Sequence, residues 1–175
     1  MFRLLMIIGA ITMLNGCTSP KLEQYKDMTP QMDLKEYFNG EIKAWGIVQN
    51  WRGDVVNKFD VDMVGTWDGD VGTLKEQFEY YDKDKTQHRT WTIHKIDDVT
   101  FEGTADDILD KATGKVSGNA VNWAYRIDLP VDDKTYRITF DDWMWQMNDG
   151  ILINRSYLKK FGITVAELTL FMQKQ

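Results

Sequence analysis

The 175-residue chain contains one cysteine, three prolines and two histidines. A single cysteine forms no disulfide within the chain, so the fold must rest on its apolar core. The two histidines, His88 and His94, are six residues apart. On one strand, at a rise of roughly 3.3 Å per residue, they would share a face about 20 Å apart, too far to share an ion. They alternate with threonines, which suits an outward face. No apolar run reaches the roughly 20 residues of a membrane-spanning helix. No Gly-x-Ser-x-Gly elbow and no glycine-rich phosphate loop is present. Positive charge is also short: 21 Lys and Arg stand against 27 Asp and Glu, for a net charge of −6. That balance speaks against nucleic acid as a partner and against a general grip on anionic lipid.

What the chain does have begins at its N-terminus. Met1-Phe2-Arg3 is followed by an apolar stretch from Leu4 to Leu14, then by Asn15-Gly16-Cys17-Thr18-Ser19. A basic start and a short apolar run before a small residue make a secretory signal. With Cys17 directly after Gly16, the segment resembles a bacterial lipobox, which implies an acylated cysteine at the mature N-terminus. Asn15 is an uncommon occupant of its slot, and an ordinary signal peptide with a chance cysteine is the alternative. Three acyl chains on one residue exceed the two signals that stable anchoring requires. Thr18, where aspartate would retain the protein at the inner membrane, resembles the outer-membrane sorting pattern. The expected address is the periplasmic face of the outer membrane. The chain then divides into a signal peptide (1–16), a lipidated tether (17–35) carrying Pro20 and Pro30, and one domain (36–175).

Within that domain the dominant signal is period-2 alternation, broken by turn residues every eight to twelve positions. Phe59, Val61, Met63 and Trp67 share one face against Lys58, Asp60 and Asp62. Arg89, Trp91 and Ile93 oppose His88, Thr90, Thr92 and His94. Val121, Trp123, Tyr125, Ile127 and Leu129 form the clearest strand, and Asn148-Asp149-Gly150 is a strong hairpin turn. Asp33 to Asn39 has the look of a short helical turn closing at Gly40. Residues 105–118 are ambiguous. Nine or ten short strands joined in sequence order predict an all-β, antiparallel up-and-down barrel, with a sandwich as the alternative. Such a barrel is either filled by side chains or holds one small ligand.

Several local patterns recur in combination: Glu76-x-Phe78, Arg89-x-Trp91, Gly103-x-Ala105, Gly118-Asn119-Ala120, Trp123-x-Tyr125, Asp141-Asp142-Trp143-Met144, Asn154-Arg155-Ser156 and Lys160-Phe161-Gly162. Together they resemble the DUF3833 family of bacterial lipoproteins across essentially the whole mature chain. The resemblance implies a lipocalin-like (calycin-like) barrel and carries no assigned activity or cofactor.

Chemistry is sparse. Asp82-x-Asp84-x-Thr86 opens like a calcium loop, but Gln87 replaces the required glycine and Ile93 the required glutamate. Asn154-Arg155-Ser156 fits a glycosylation acceptor, which means little in a bacterial lipoprotein. Asp141 and Asp142 are adjacent on a strand, so they point to opposite faces and form no dyad. The charged residues on the apolar face are more telling: Glu76, Arg89, Asp142 and Arg155. A two-residue turn at Asp149-Gly150 would put Arg155 diagonal to Asp142, within reach of an ion pair; a three-residue turn would put it opposite Trp143. These four, with Trp91, Trp123 and Tyr125, are the candidate ligand-binding residues. They are read either as core and a satisfied ion pair, or as the walls and polar end of a cavity for a fatty acid or phospholipid. Trp143 and Trp145 occupy the face opposite Asp142. Three functions compete: a lipid-anchored carrier of a hydrophobic ligand, a solid-core interaction module, and, least supported, an enzyme acting on lipid.

Overall fold

The structure, a computed structural model, describes residues 20–175 apart from Lys83 and Asp132. The expected signal peptide (1–16) and Cys17 lie outside the described residues. Ten strands follow one another: β1 (Gly40–Asn50), β2 (Val55–Asp68), β3 (Val71–Tyr80), β4 (Thr86–Lys95), β5 (Thr100–Thr104), β6 (Ala112–Ser117), β7 (Ala120–Val131), β8 (Lys134–Gln146), β9 (Ile151–Lys160) and β10 (Ile163–Lys174). Every strand pairs antiparallel with its sequence neighbours, and β1 pairs with β10 to close the barrel. The predicted up-and-down barrel is therefore the fold, and closure leaves no free sheet edge.

Alternation decides which side faces inward. Ile42 and Ala44 on β1, Phe59, Val61 and Met63 on β2, and Leu152 on β9 are buried in the interior. The outer wall carries ion pairs, interspersed with apolar positions such as Trp45 and Phe171. Lys43 bridges to Asp62 at 2.9 Å, Arg137 to Asp128 at 2.9 Å and Lys111 to Glu102 at 2.7 Å. A barrel that crosses a membrane has the opposite arrangement, with an apolar band outside. His88 and His94 are both exposed.

The ambiguous stretch resolves into an irregular connection followed by β6. Ile108 makes a bridge to Ile127 across this connection. Gly114 on β6 is required by packing. A Cβ there would come within 2.7 Å of the Trp123 indole, so only glycine lets that ring lie flat against the wall.

One end of the barrel is plugged by the chain's own N-terminal segment. A single turn of helix, α1 (Leu34–Tyr37), starts at Asp33, whose side chain accepts the Glu36 N–H at 2.9 Å. Leu34, Tyr37 and Phe38 are buried across the barrel end. The plug is fastened from several sides. Lys174 Nζ donates to the carbonyls of Glu36, Tyr37 and Asn39 at 2.6, 3.0 and 2.6 Å. Trp67 Nε1 donates to the Phe38 carbonyl at 3.0 Å. Residues 20–35, expected as spacer, are thus packed on the barrel: Met32 is buried, and Tyr25 lies 6.1 Å from the Trp143 ring and 6.2 Å from Trp145. The outward tryptophans of β8 are covered by this segment, because apolar rings on an outer wall are stabilised by whatever screens them from water. Among the described residues, every buried apolar one lies between Met32 and Met172.

Candidate functional site

Above the plug the interior is not completely filled. A cavity of about 100 Å³ is bounded below by Leu34 and Phe38, and around its lower wall by Met63, Leu74, Ile93, Leu170 and Met172. Its upper wall carries Glu76, Phe78, Arg89, Trp91, Trp123, Tyr125, Asp142 and Asn154. Six of the seven sequence-predicted ligand-binding residues therefore line one space. The seventh does not.

Register explains both outcomes. On β3 and β4, Glu76 lies directly opposite Arg89, and Leu74 opposite Trp91. On β7, β8 and β9, Asp142 lies between Trp123 and Ser156, and Met144 is opposite Asn154. These pairings put all the polar groups halfway along the barrel axis. Arg155 is opposite Trp143, so it faces outward, half-exposed, with Glu167 as its nearest acid at 3.9 Å. The expected Asp142–Arg155 ion pair does not form. The β8–β9 link is a three-residue turn at 148–150, in which Asp149 and Gly150 adopt positive φ of 59° and 70°. That extra residue shifts β9 by one and turns Asn154 and Ser156 inward instead.

Asp142 is held by these two neighbours. Ser156 Oγ donates to its Oδ1 at 2.7 Å, and Asn154 Nδ2 donates to the same oxygen and to the Trp143 carbonyl, the latter at 2.9 Å. Burial raises its pKa, and the hydrogen bonds from Ser156 and Asn154 only partly counter that. Asn154 is itself 1% exposed, which closes it as a glycosylation acceptor.

Arg89 attracts Glu76 from the facing strand position, but its side-chain hydrogen bonds go to Asp107. Its Nε donates to Asp107 Oδ2 at 3.0 Å and its Nη2 to the same oxygen, while its guanidinium lies 5.8 Å from the Phe78 and Trp91 rings. Glu76 is left in an unusual state. Its Oε2 is enclosed and has no hydrogen-bond partner among the described residues. Burial lifts its pKa to about 7, against the lowering pull of Arg89 and the Trp91 indole. Beside it, Tyr125 stacks on Phe140 at 4.9 Å and meets Trp91 edge-on at 5.4 Å. Burial pushes the Tyr125 hydroxyl well above its ordinary pKa, so it stays protonated.

Sequence reasoning missed Asn154, Ser156, Asp107, Leu34 and Phe38. The first two were legible only with the correct turn length, since Ile151 and Ile153 make the outer face of β9 as apolar as the inner. Asp107 sits in the irregular connection, where no period applies. Leu34 and Phe38 precede the barrel in sequence, and nothing local says that they fold back across its end.

Fold and site together define a closed up-and-down barrel with an internal, mainly apolar cavity crossed by a polar belt. The family model for DUF3833, a protein family of unknown function, matches residues 11–174, and the chain belongs to that family. No curated protein sequence matches the chain.

Proposed function

We propose that this protein is a non-enzymatic, lipid-anchored barrel at the periplasmic face of the outer membrane, and that it takes the end of a hydrophobic ligand into its interior. The observation that carries the reading is the cavity: an apolar lower wall and floor below a polar belt, the layout that binds and orients an amphipathic molecule. Its size limits what enters. Pockets that enclose a drug-sized ligand span roughly 300–1,000 Å³, and an apolar cavity of about 150 Å³ takes up benzene. About 100 Å³ holds a head group and a few carbons, so a full acyl chain requires Leu34 and Phe38 to move.

The layout of the two ends supports this role. Tyr25 packs on Trp143 and Trp145, and the Met32 N–H donates to the Gly118 carbonyl at the turn between β6 and β7, so an acylated Cys17 a few residues earlier would hold this side of the barrel toward the membrane. The opposite end exposes Trp51 and Phe161 on its turns and Ile163 at the start of β10, at 73, 93 and 69%. Apolar rims of this kind suit the passage of a hydrophobic ligand. Native mass spectrometry of residues 18–175, with a fluorescent fatty-acid displacement assay, tests the reading. Co-purified lipid or displacement that weakens when Trp91 or Trp123 is changed supports it. A ligand-free barrel that binds no lipid of any chain length contradicts it and favours a solid-core interaction module.

A further inference from the structure

Resting on that reading, we infer that the cavity selects a ligand whose head donates hydrogen bonds, as an amine or a hydroxyl does, and rejects one with an anionic head. The cavity wall holds two carboxylates, Glu76 and Asp142, and one guanidinium, Arg89. The guanidinium is engaged by Asp107. Asp142 already accepts from Ser156 and Asn154. Glu76 lines the space, and its Oε2 is an enclosed acceptor without a donor among the described residues. An enclosed acceptor without a partner loses the hydrogen bonds it had in water, and a donor brought in by a ligand restores one. A carboxylate or phosphate brought to the same place meets like charge instead, and the one cation of the belt among the described residues, Arg89, is already paired with Asp107.

The apolar floor lies beneath this belt, so the head rests at Glu76 and the carbon chain points toward Leu34 and Phe38. The groups facing Glu76 come from every neighbouring wall: Arg89 and Trp91 from β4, Asp107 from the connection after β5, Tyr125 from β7 and Asp142 from β8. Raising the proton concentration neutralises Glu76 and weakens its preference for a cationic head.

Four-carbon probes match the cavity. Butylamine, 1-butanol and butyrate are titrated at pH 8 into residues 18–175, with the indole N–H signals of Trp91 and Trp123 followed by NMR and folding checked by circular dichroism. The amine and the alcohol are expected to bind, and butyrate to bind roughly tenfold more weakly or not at all. Amine above alcohol assigns the preference to charge, and equality assigns it to the hydrogen bond; both agree with the inference. In the isosteric variant Glu76→Gln the amine advantage over butyrate should shrink to near unity. Butyrate binding as well as butylamine, or a preference unmoved by Glu76→Gln, overturns the head-group inference while leaving the binding barrel intact. If no probe moves either indole, the cavity reading itself fails.

Discussion

Two neighbouring carboxylates on β8 meet opposite treatment. Asp141, on the outer wall, accepts from Asn122 Nδ2 and Trp143 Nε1 at 2.9 Å each, and pairs with Lys159 at 2.6 Å. Asp142, one residue on and facing inward, receives only the neutral donors Ser156 and Asn154, and Glu76 across the cavity has less. Outside, opposing charges meet; inside, acids outnumber bases. Folding alone favours the outer solution, because an unmatched buried charge lowers stability. The inner arrangement is understandable if a ligand supplies what the wall does not.

The floor of the inner region gives the largest expected effect. Leu34→Ala removes a fully buried side chain that touches the cavity, and should lower unfolding stability by about 3 kcal/mol in denaturant titration. The same variant should accept longer alkyl chains than the parent. Unchanged chain-length selectivity would mean that the plug does not set the cavity's depth.

Next is Glu76 itself. Its folded pKa of about 7 stands above the ordinary 4.5, so the folded chain keeps a proton that the unfolded chain releases between those values. Stability therefore falls as pH rises through that window. Glu76→Gln should be more stable than the parent by about 3 kcal/mol at pH 8, and no different near pH 4. Urea midpoints at the two pH values check this, and a Gln variant less stable at pH 8 would refute the inner-wall half of the comparison. Ser156→Ala should cost about 1 kcal/mol by the same assay, since Asp142 loses one of its two side-chain donors. The smallest effect belongs to Arg155→Ala. With Glu167 3.9 Å away and both side chains more than a third exposed, it should shift stability by less than about 0.5 kcal/mol and leave probe binding unchanged.

The contrast between the walls also shows what the sequence makes legible. Strand alternation read off Phe59, Val61 and Met63, or off Val121, Trp123 and Tyr125, is local chemistry, and it leads to the barrel because polar and apolar faces alternate cleanly there. Glu76, Arg89 and Asp142 stand out for the same reason, as charges on apolar faces. Arg155 fails because β9 is apolar on both faces near its start, so its inner set depends on one residue of turn length, which is a tertiary fact. The plug fails for a related reason. Met32, Leu34 and Phe38 lie in a polar, proline-bearing stretch, and only the closed barrel end gives them something to cover. Signal peptide, acylation of Cys17 and address rest on the N-terminal pattern alone.

The most direct test of an under-neutralised inner wall is the titration of the Glu76 side-chain carboxyl by ¹³C NMR in residues 18–175. The expected midpoint is near 7, moving lower when butylamine is bound. A midpoint at the ordinary 4.5, unmoved by the amine, would contradict it.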